Sequence, residues 1–119
     1  MIRLRRHMFT LAVLAGSLAA ATVFAADTAS DIQEGKKLAF DRKLGNCLAC
    51  HMIEGGEAPG TIGPPLVAMQ TRYPDKAKLR AQIWDATVMN ANSAMPPFGK
   101  HRILTEEQIN KIVEYVWSL

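Results

Sequence analysis

The chain has 119 residues, 14 of them basic and 11 acidic, for a formal net charge of +3. That length allows one small domain. Three of the basic residues, Arg3, Arg5 and Arg6, crowd the N-terminus; without them the count balances at 11 against 11, and no general nucleic-acid or membrane-binding surface is indicated.

Residues 1–26 are expected to form a secretory signal peptide that is cleaved, leaving a domain over 27–119. The basic start precedes the apolar run Met8-Phe9-Thr10-Leu11-Ala12-Val13-Leu14-Ala15, and Val23-Phe24-Ala25 or Phe24-Ala25-Ala26 would suit a signal peptidase. An uncleaved membrane anchor is the competing reading, but the strongly apolar part is short for a span.

A first helix is expected from Ser30, because Ser30-Asp31-Ile32-Gln33 has the spacing of a capping box. Ile32, Leu38, Ala39 and Phe40 give it an apolar stripe. Lys36, Lys37, Asp41, Arg42 and Lys43 stay outside. Gly45-Asn46 should end it with a left-handed residue.

The next five residues are Cys47-Leu48-Ala49-Cys50-His51. C-x-x-C-H is the attachment spacing of c-type haem. Each cysteine can add across a vinyl group to make a thioether, and the histidine can then reach the iron as proximal ligand. A thioredoxin-like pair would need a βαβ setting and a structural zinc site four ligands; the rest of the chain supplies neither. With both cysteines linked, no disulfide and no nucleophilic thiol remain in this polypeptide.

Residues 52 to 71 read as a loop carrying Gly55, Gly56, Pro59, Gly60, Gly63, Pro64 and Pro65. A loop this long in so small a domain usually wraps something. Within it, Gly63-Pro64-Pro65-Leu66 has two readings. A ligating histidine normally gives its second ring N–H to a carbonyl, and a proline carbonyl is held still by a locked φ. Equally, the segment is an ordinary rigid turn.

A second helix is expected from Pro74-Asp75 to Asn90, with Ala77, Leu79, Ile83, Trp84, Ala86, Thr87 and Val88 on its buried side. Trp84 could contact haem or relay electrons, but aromatics more often fill cores. Met95-Pro96-Pro97-Phe98-Gly99 follows. Residues before proline leave the α region, so Met95 is held on a stiff strut suited to bringing a thioether to the iron face that His51 does not use. Met95 is therefore the expected distal ligand, with Met69, Met89 and His101 as alternatives. Lys100 and Arg102 flank the strut, either as a docking patch or as solvated charges.

The last helix is signalled by Thr105-Glu106-Glu107-Gln108, a second capping box, with Leu104 and Ile109 placed for a hydrophobic staple. Ile109, Ile112, Val113 and Val116 recur at helical spacing. No strand pattern of convincing length follows the leader. The fold expected is all-α, three main helices wrapped around one covalently attached haem c. A core this small needs the macrocycle at its centre, so the apo chain should be largely unfolded.

This order resembles the class I cytochrome c family. In that family a Gly-Pro-x-Leu segment supplies a proline carbonyl to the proximal histidine, and Pro64 matches that position. Gly35, Phe40 and Tyr115 match the contact between first and last helices, although Phe40 lies five residues after Gly35 where four is usual. A narrower resemblance is to the SoxX sulfur-oxidation cytochromes. It is carried by Phe40-Asp41-Arg42 leading into Gly45-Asn46-Cys47-Leu48-Ala49-Cys50-His51, by Tyr73-Pro74-Asp75-Lys76-Ala77, and by Met95-Pro96-Pro97-Phe98-Gly99-Lys100 with Ile103-Leu104-Thr105.

The resemblance implies His51/Met95 ligation and an electron-transfer subunit beside a SoxA-like cytochrome; export by the leader would place it in the periplasm. That complex would act as an L-cysteine S-thiosulfotransferase, joining thiosulfate to a carrier-protein cysteine, with electrons leaving to a downstream cytochrome. This chain is not expected to be catalytic alone. The alternative function is a free, diffusible mono-haem carrier of a respiratory chain.

Overall fold

The computed structural model describes the backbone from residue 18 and the side chains from residue 26 onward. The expected leader therefore lies mostly outside the described residues. Four α-helices follow in order: α1 Leu18–Phe40, α2 Met69–Arg72, α3 Lys76–Trp84 and α4 Glu106–Trp117. Two single 3-10 turns, Cys47–Ala49 and Ala86–Val88, complete the regular structure, and the described residues contain no strand. No helix among them is long and apolar enough to cross a membrane.

Helix α4 organises the core. Thr105 is its N-cap, its hydroxyl accepting from the Gln108 N–H while the Gln108 side chain accepts from the Thr105 N–H. Glu106 and Glu107 fill the first turn, where the helix dipole favours anions. Ile109, Ile112, Val113 and Val116 form the expected stripe and are all buried. Full burial of each such side chain stabilises by about 1.5–3 kcal/mol. The helix packs against Leu38 and Ala39 of α1 and Leu79 and Ile83 of α3, with Leu104 and Phe98 in the same cluster.

Helix α1 crosses α4 at Gly35. A Cβ there would lie 2.0 Å from the Lys111 carbonyl oxygen and 2.9 Å from Tyr115 Cβ, so only glycine lets the backbones approach this closely. One turn on, the Phe40 and Tyr115 rings meet edge to face at 6.1 Å. The five-residue spacing from Gly35 does not prevent this contact. The Tyr115 hydroxyl is buried and finds no hydrogen-bond partner among the described residues, and burial raises its pKa.

Three expectations about boundaries need correction. Ser30 does not cap α1, which runs unbroken from Leu18. The Ala-rich segment before Ser30 has high helix propensity and no breaker, so the helix propagates through it. The helix also ends at Phe40; the left-handed residue is Asn46, at φ 48°, after an intervening turn. Helix α3 stops at Trp84, not Asn90. Asp85 takes an extended conformation and its carboxylate caps the next turn by accepting from the Thr87 N–H. The helical phase is lost there, which is why Val88, expected on the buried side, is 82% exposed. The long loop also contains α2, which was not expected.

Ion pairs tie α3 to α4. Lys76 reaches Glu114 at 2.8 Å and lies over the Trp117 ring, and Arg80 reaches Glu106 at 3.1 Å. The Trp117 indole N–H donates to the Tyr73 carbonyl at 2.9 Å. The elements flanking the cavity are thus held together from outside it.

Candidate haem site

A cavity of about 670 Å³ opens between the Cys47–His51 turn, the loop around Pro64, α2 and α3, the Met95 segment and α4. That size suits a small-molecule or cofactor site. Its lining is mainly apolar: Leu44, Leu66, Leu79, Ile83, Phe98 and Leu104 contribute, as do Ile112 and Val116 of α4.

The Cys47–Ala49 turn puts Cys47, Cys50 and His51 on the cavity wall together. Left-handed Asn46 begins it, and Ala49 N–H donates back to the Asn46 carbonyl at 3.0 Å. His51 N–H and Cys50 N–H both donate to the Cys47 carbonyl, which winds the two cysteines and the histidine into one turn. The cysteines are not joined to each other. Burial, the main cause, pushes the Cys47 thiol up to about 11.

The following loop runs alongside this turn as a short ladder. Gly60 N–H donates to Leu48 O at 2.8 Å, Gly63 N–H to Cys50 O at 2.8 Å, and Leu66 N–H to Met52 O at 2.9 Å. Between the last two rungs stand Pro64 and Pro65, which have no N–H to give. The Pro64 carbonyl instead lies 2.7 Å from His51 Nδ1. A carbonyl only accepts, so Nδ1 carries the proton and Nε2 keeps its lone pair for a metal. Gly63 makes this possible, since a Cβ there would lie 2.4 Å from His51 Cε1. Of the two readings left by the sequence, the carbonyl partner is the geometry observed.

Two methionines line the cavity, Met95 and Met69. Met95 is half-buried, its N–H donating to Ser93 Oγ at 3.3 Å. Met69 is 2% exposed and its sulfur accepts from the Arg72 guanidinium at 3.4 Å. His101 is exposed and outside the lining, and Met89 lies on a different surface with Trp84. Trp84 accordingly packs against the core rather than into the cavity.

Lys100 does not stand free as a docking charge. Its ammonium lies 2.8 Å from the Asp85 carboxylate, a side chain only 6% exposed. Sequence reasoning missed both Asp85 and Arg72, which lines the cavity and donates to the Pro65 carbonyl at 2.7 Å. The Asp-x-Thr spacing of Asp85 and Thr87 was the available signal for the first; Arg72 had none.

The residues present fit a covalently held haem. Two unpaired thiols, an imidazole with one free nitrogen and a free thioether share one largely apolar cavity. Among the described residues no cluster of three or more His, Cys, Asp or Glu is placed to hold a bare metal ion. An all-helical domain with this site is a c-type haem protein. The chain belongs to the cytochrome c family, whose model, described as Cytochrome c, matches residues 32–119, and it carries one covalent haem c. In three dimensions it is similar to the crystal structure of SoxXA from P. pantotrophus. The TM-score is 0.65 at 29% identity, over 72% of this chain and 79% of that one. No curated protein sequence matches the chain.

Proposed function

We propose that this cytochrome is the SoxX-like, electron-accepting subunit of a periplasmic thiosulfate-oxidising complex, paired with a SoxA-like cytochrome. The observation that carries this reading is the likeness to SoxXA, which extends over most of both chains at 29% identity. The overall reaction would join a carrier-protein cysteine thiol to thiosulfate through a new S–S bond, releasing one proton and two electrons. Both cysteines of this chain lie at the haem-attachment turn, so the sulfur-bearing cysteine belongs elsewhere in the assembly.

When bound, haem c supplies a one-electron iron couple. Cys47 and Cys50 would hold it by thioethers. His51 would be the proximal ligand, oriented by Pro64, and Met95 the distal one. A thioether ligand raises the potential of a haem, which suits an acceptor. If His51 and Met95 both bind the iron, no position is left open for a sulfur substrate, and the chain would not be catalytic alone.

The test is isolation from the native source under gentle conditions, with mass spectrometry of whatever co-elutes with haem absorbance. A stoichiometric second cytochrome, together with reduction of this haem on adding thiosulfate and the carrier protein, is the expected result. A lone haem protein that thiosulfate leaves oxidised would overturn the proposal in favour of a diffusible electron carrier.

A further inference from the structure

The Met95 strut is fixed at its far end by the residues that terminate α3. Trp84, the last residue of that helix, offers its carbonyl to two N–H groups of the strut, Gly99 at 3.2 Å and Lys100 at 3.3 Å. Gly99 lies against the Trp84 ring so closely that a Cβ would be 2.1 Å from Cδ2 and Cε3. The next residue, Asp85, is the only buried charged residue among those described. One carboxylate oxygen is committed to Thr87, through its N–H and its hydroxyl. The other faces Lys100 Nζ at 2.8 Å.

Between Lys100 and Met95 stand Pro96, Pro97, Phe98 and Gly99. The prolines have fixed φ and no N–H, Phe98 is buried in the core, and the Phe98 carbonyl accepts from Ile103 and Leu104. The strut is therefore stiff along its length, and its placement is decided where it is fastened. Near Met95 the fastening is weak, a single 3.3 Å bond to the Ser93 hydroxyl. At the other end it is Trp84 and Asp85.

We infer that Asp85, acting through Lys100, is a positioning residue that sets where the Met95 thioether stands in the cavity. This rests on the reading of Met95 as the distal ligand. An ion pair with one half-exposed partner adds little stability, and burying the carboxylate carries a desolvation cost that its hydrogen bonds offset. What the pair does supply is a fixed point: removing Lys100 leaves a buried carboxylate seeking another cation or water, and the strut loses one of its fastenings.

The experiment uses the holoprotein and four variants, Asp85→Asn, Lys100→Met, Lys100→Arg and Met95→Ala. The readouts are the sulfur-to-iron charge-transfer band of the ferric state, the reduction potential and the affinity for added imidazole. Lys100→Met changes a side chain that is more than half exposed, so it tests the idea even where Asp85→Asn fails to fold. Expected are a weakened band and imidazole binding tighter by about tenfold or more in Asp85→Asn and Lys100→Met, a change equivalent to ~1.4 kcal/mol. Lys100→Arg should restore both toward wild type. Met95→Ala separates the two readings. Where it opens the iron but Lys100→Met and Asp85→Asn leave band, potential and imidazole affinity unchanged, the positioning role is overturned and the ligation stands. Where Met95→Ala itself changes nothing, the ligation fails and the positioning role fails with it.

Discussion

His51 Nδ1 lies 2.7 Å from the Pro64 carbonyl oxygen, and the residue before that proline has no side chain to push them apart. The contact does two things to the imidazole. It fixes the ring plane, and it makes the ring a stronger donor at Nε2. Gly63→Ala would set a methyl 2.4 Å from Cε1 and turn the ring away. The expected loss is about 0.5–1.5 kcal/mol for the hydrogen bond plus ~1–3 kcal/mol for overpacking, read as a lower denaturation midpoint of the holoprotein. The reduction potential should rise, because a less basic imidazole stabilises ferric iron less. A redox titration that gives the wild-type value would show that Pro64 does not tune the ligand.

The two cavity methionines make opposite predictions. Met95→Ala should lower the potential, abolish the sulfur-to-iron band and admit exogenous ligands. Met69→Ala should keep the band and cost about 2–5 kcal/mol of stability, the usual consequence of emptying a buried site. Spectra of the two ferric variants decide it, and an exchange of these outcomes would name Met69 as the ligand.

Gly35→Ala sets two effects against each other. Alanine favours a helix interior over glycine by about 0.8–1 kcal/mol. The new Cβ, however, would lie 2.0 Å from a backbone carbonyl of α4, and backbone does not yield as a flexible side chain does. Overpacking of this kind costs about 1–3 kcal/mol or more, so the clash should win. Thermal unfolding of the holoprotein is expected to shift downward; an upward shift would mean that α1 and α4 slide apart at no cost.

Asp85 gives a pH dependence with a definite sign. Its hydrogen bond from Lys100, then that from Thr87, holds its carboxyl down to about 2 against an ordinary 3.8. A folded value below the unfolded one means that the ionised carboxylate stabilises the fold above the ordinary range, and that this contribution is lost as pH falls through about 2. The difference in urea midpoint between wild type and Asp85→Asn should therefore be level near neutrality and shrink from about pH 4 downward. A difference that stays constant to the lowest accessible pH would contradict the charged hydrogen-bonded arrangement.

Much of this molecule is legible in the sequence where the signal is local. The C-x-x-C-H turn, the Thr105 capping box and the stripe from Ile109 to Val116 each specify their own geometry within a few residues, and each appears as expected. The boundaries of α1 and α3 were not legible for opposite reasons. Ser30 has good capping chemistry, but the residues before it prefer helix and override the cap. Residues 86 to 90 have acceptable helix composition, but the Asp85 carboxylate captures the Thr87 N–H and starts a different turn. The pairing of Lys100 with Asp85 spans 15 positions and two elements, and no periodicity encodes it. The contact of Phe40 with Tyr115 shows that an irregular motif spacing can still place two rings together.

The ladder from Gly60 to Leu66 carries one more consequence. Each time an iron centre gains or loses an electron, its bonds tend to change length, and the energy of that rearrangement slows the exchange. Here the backbone on both sides of His51 is fastened, by Cys50 O to Gly63 and by Met52 O to Leu66, and the ring itself is fastened by Pro64. The two backbone bonds do not involve the ring, while the Pro64 bond, which tunes the ligand, would tighten somewhat on oxidation. Under the proposed ligation, these bonds would limit how far the imidazole moves between oxidation states. The His51 side of the coordination sphere would then contribute little to the reorganisation energy, leaving that cost to the Met95 side and the surrounding water.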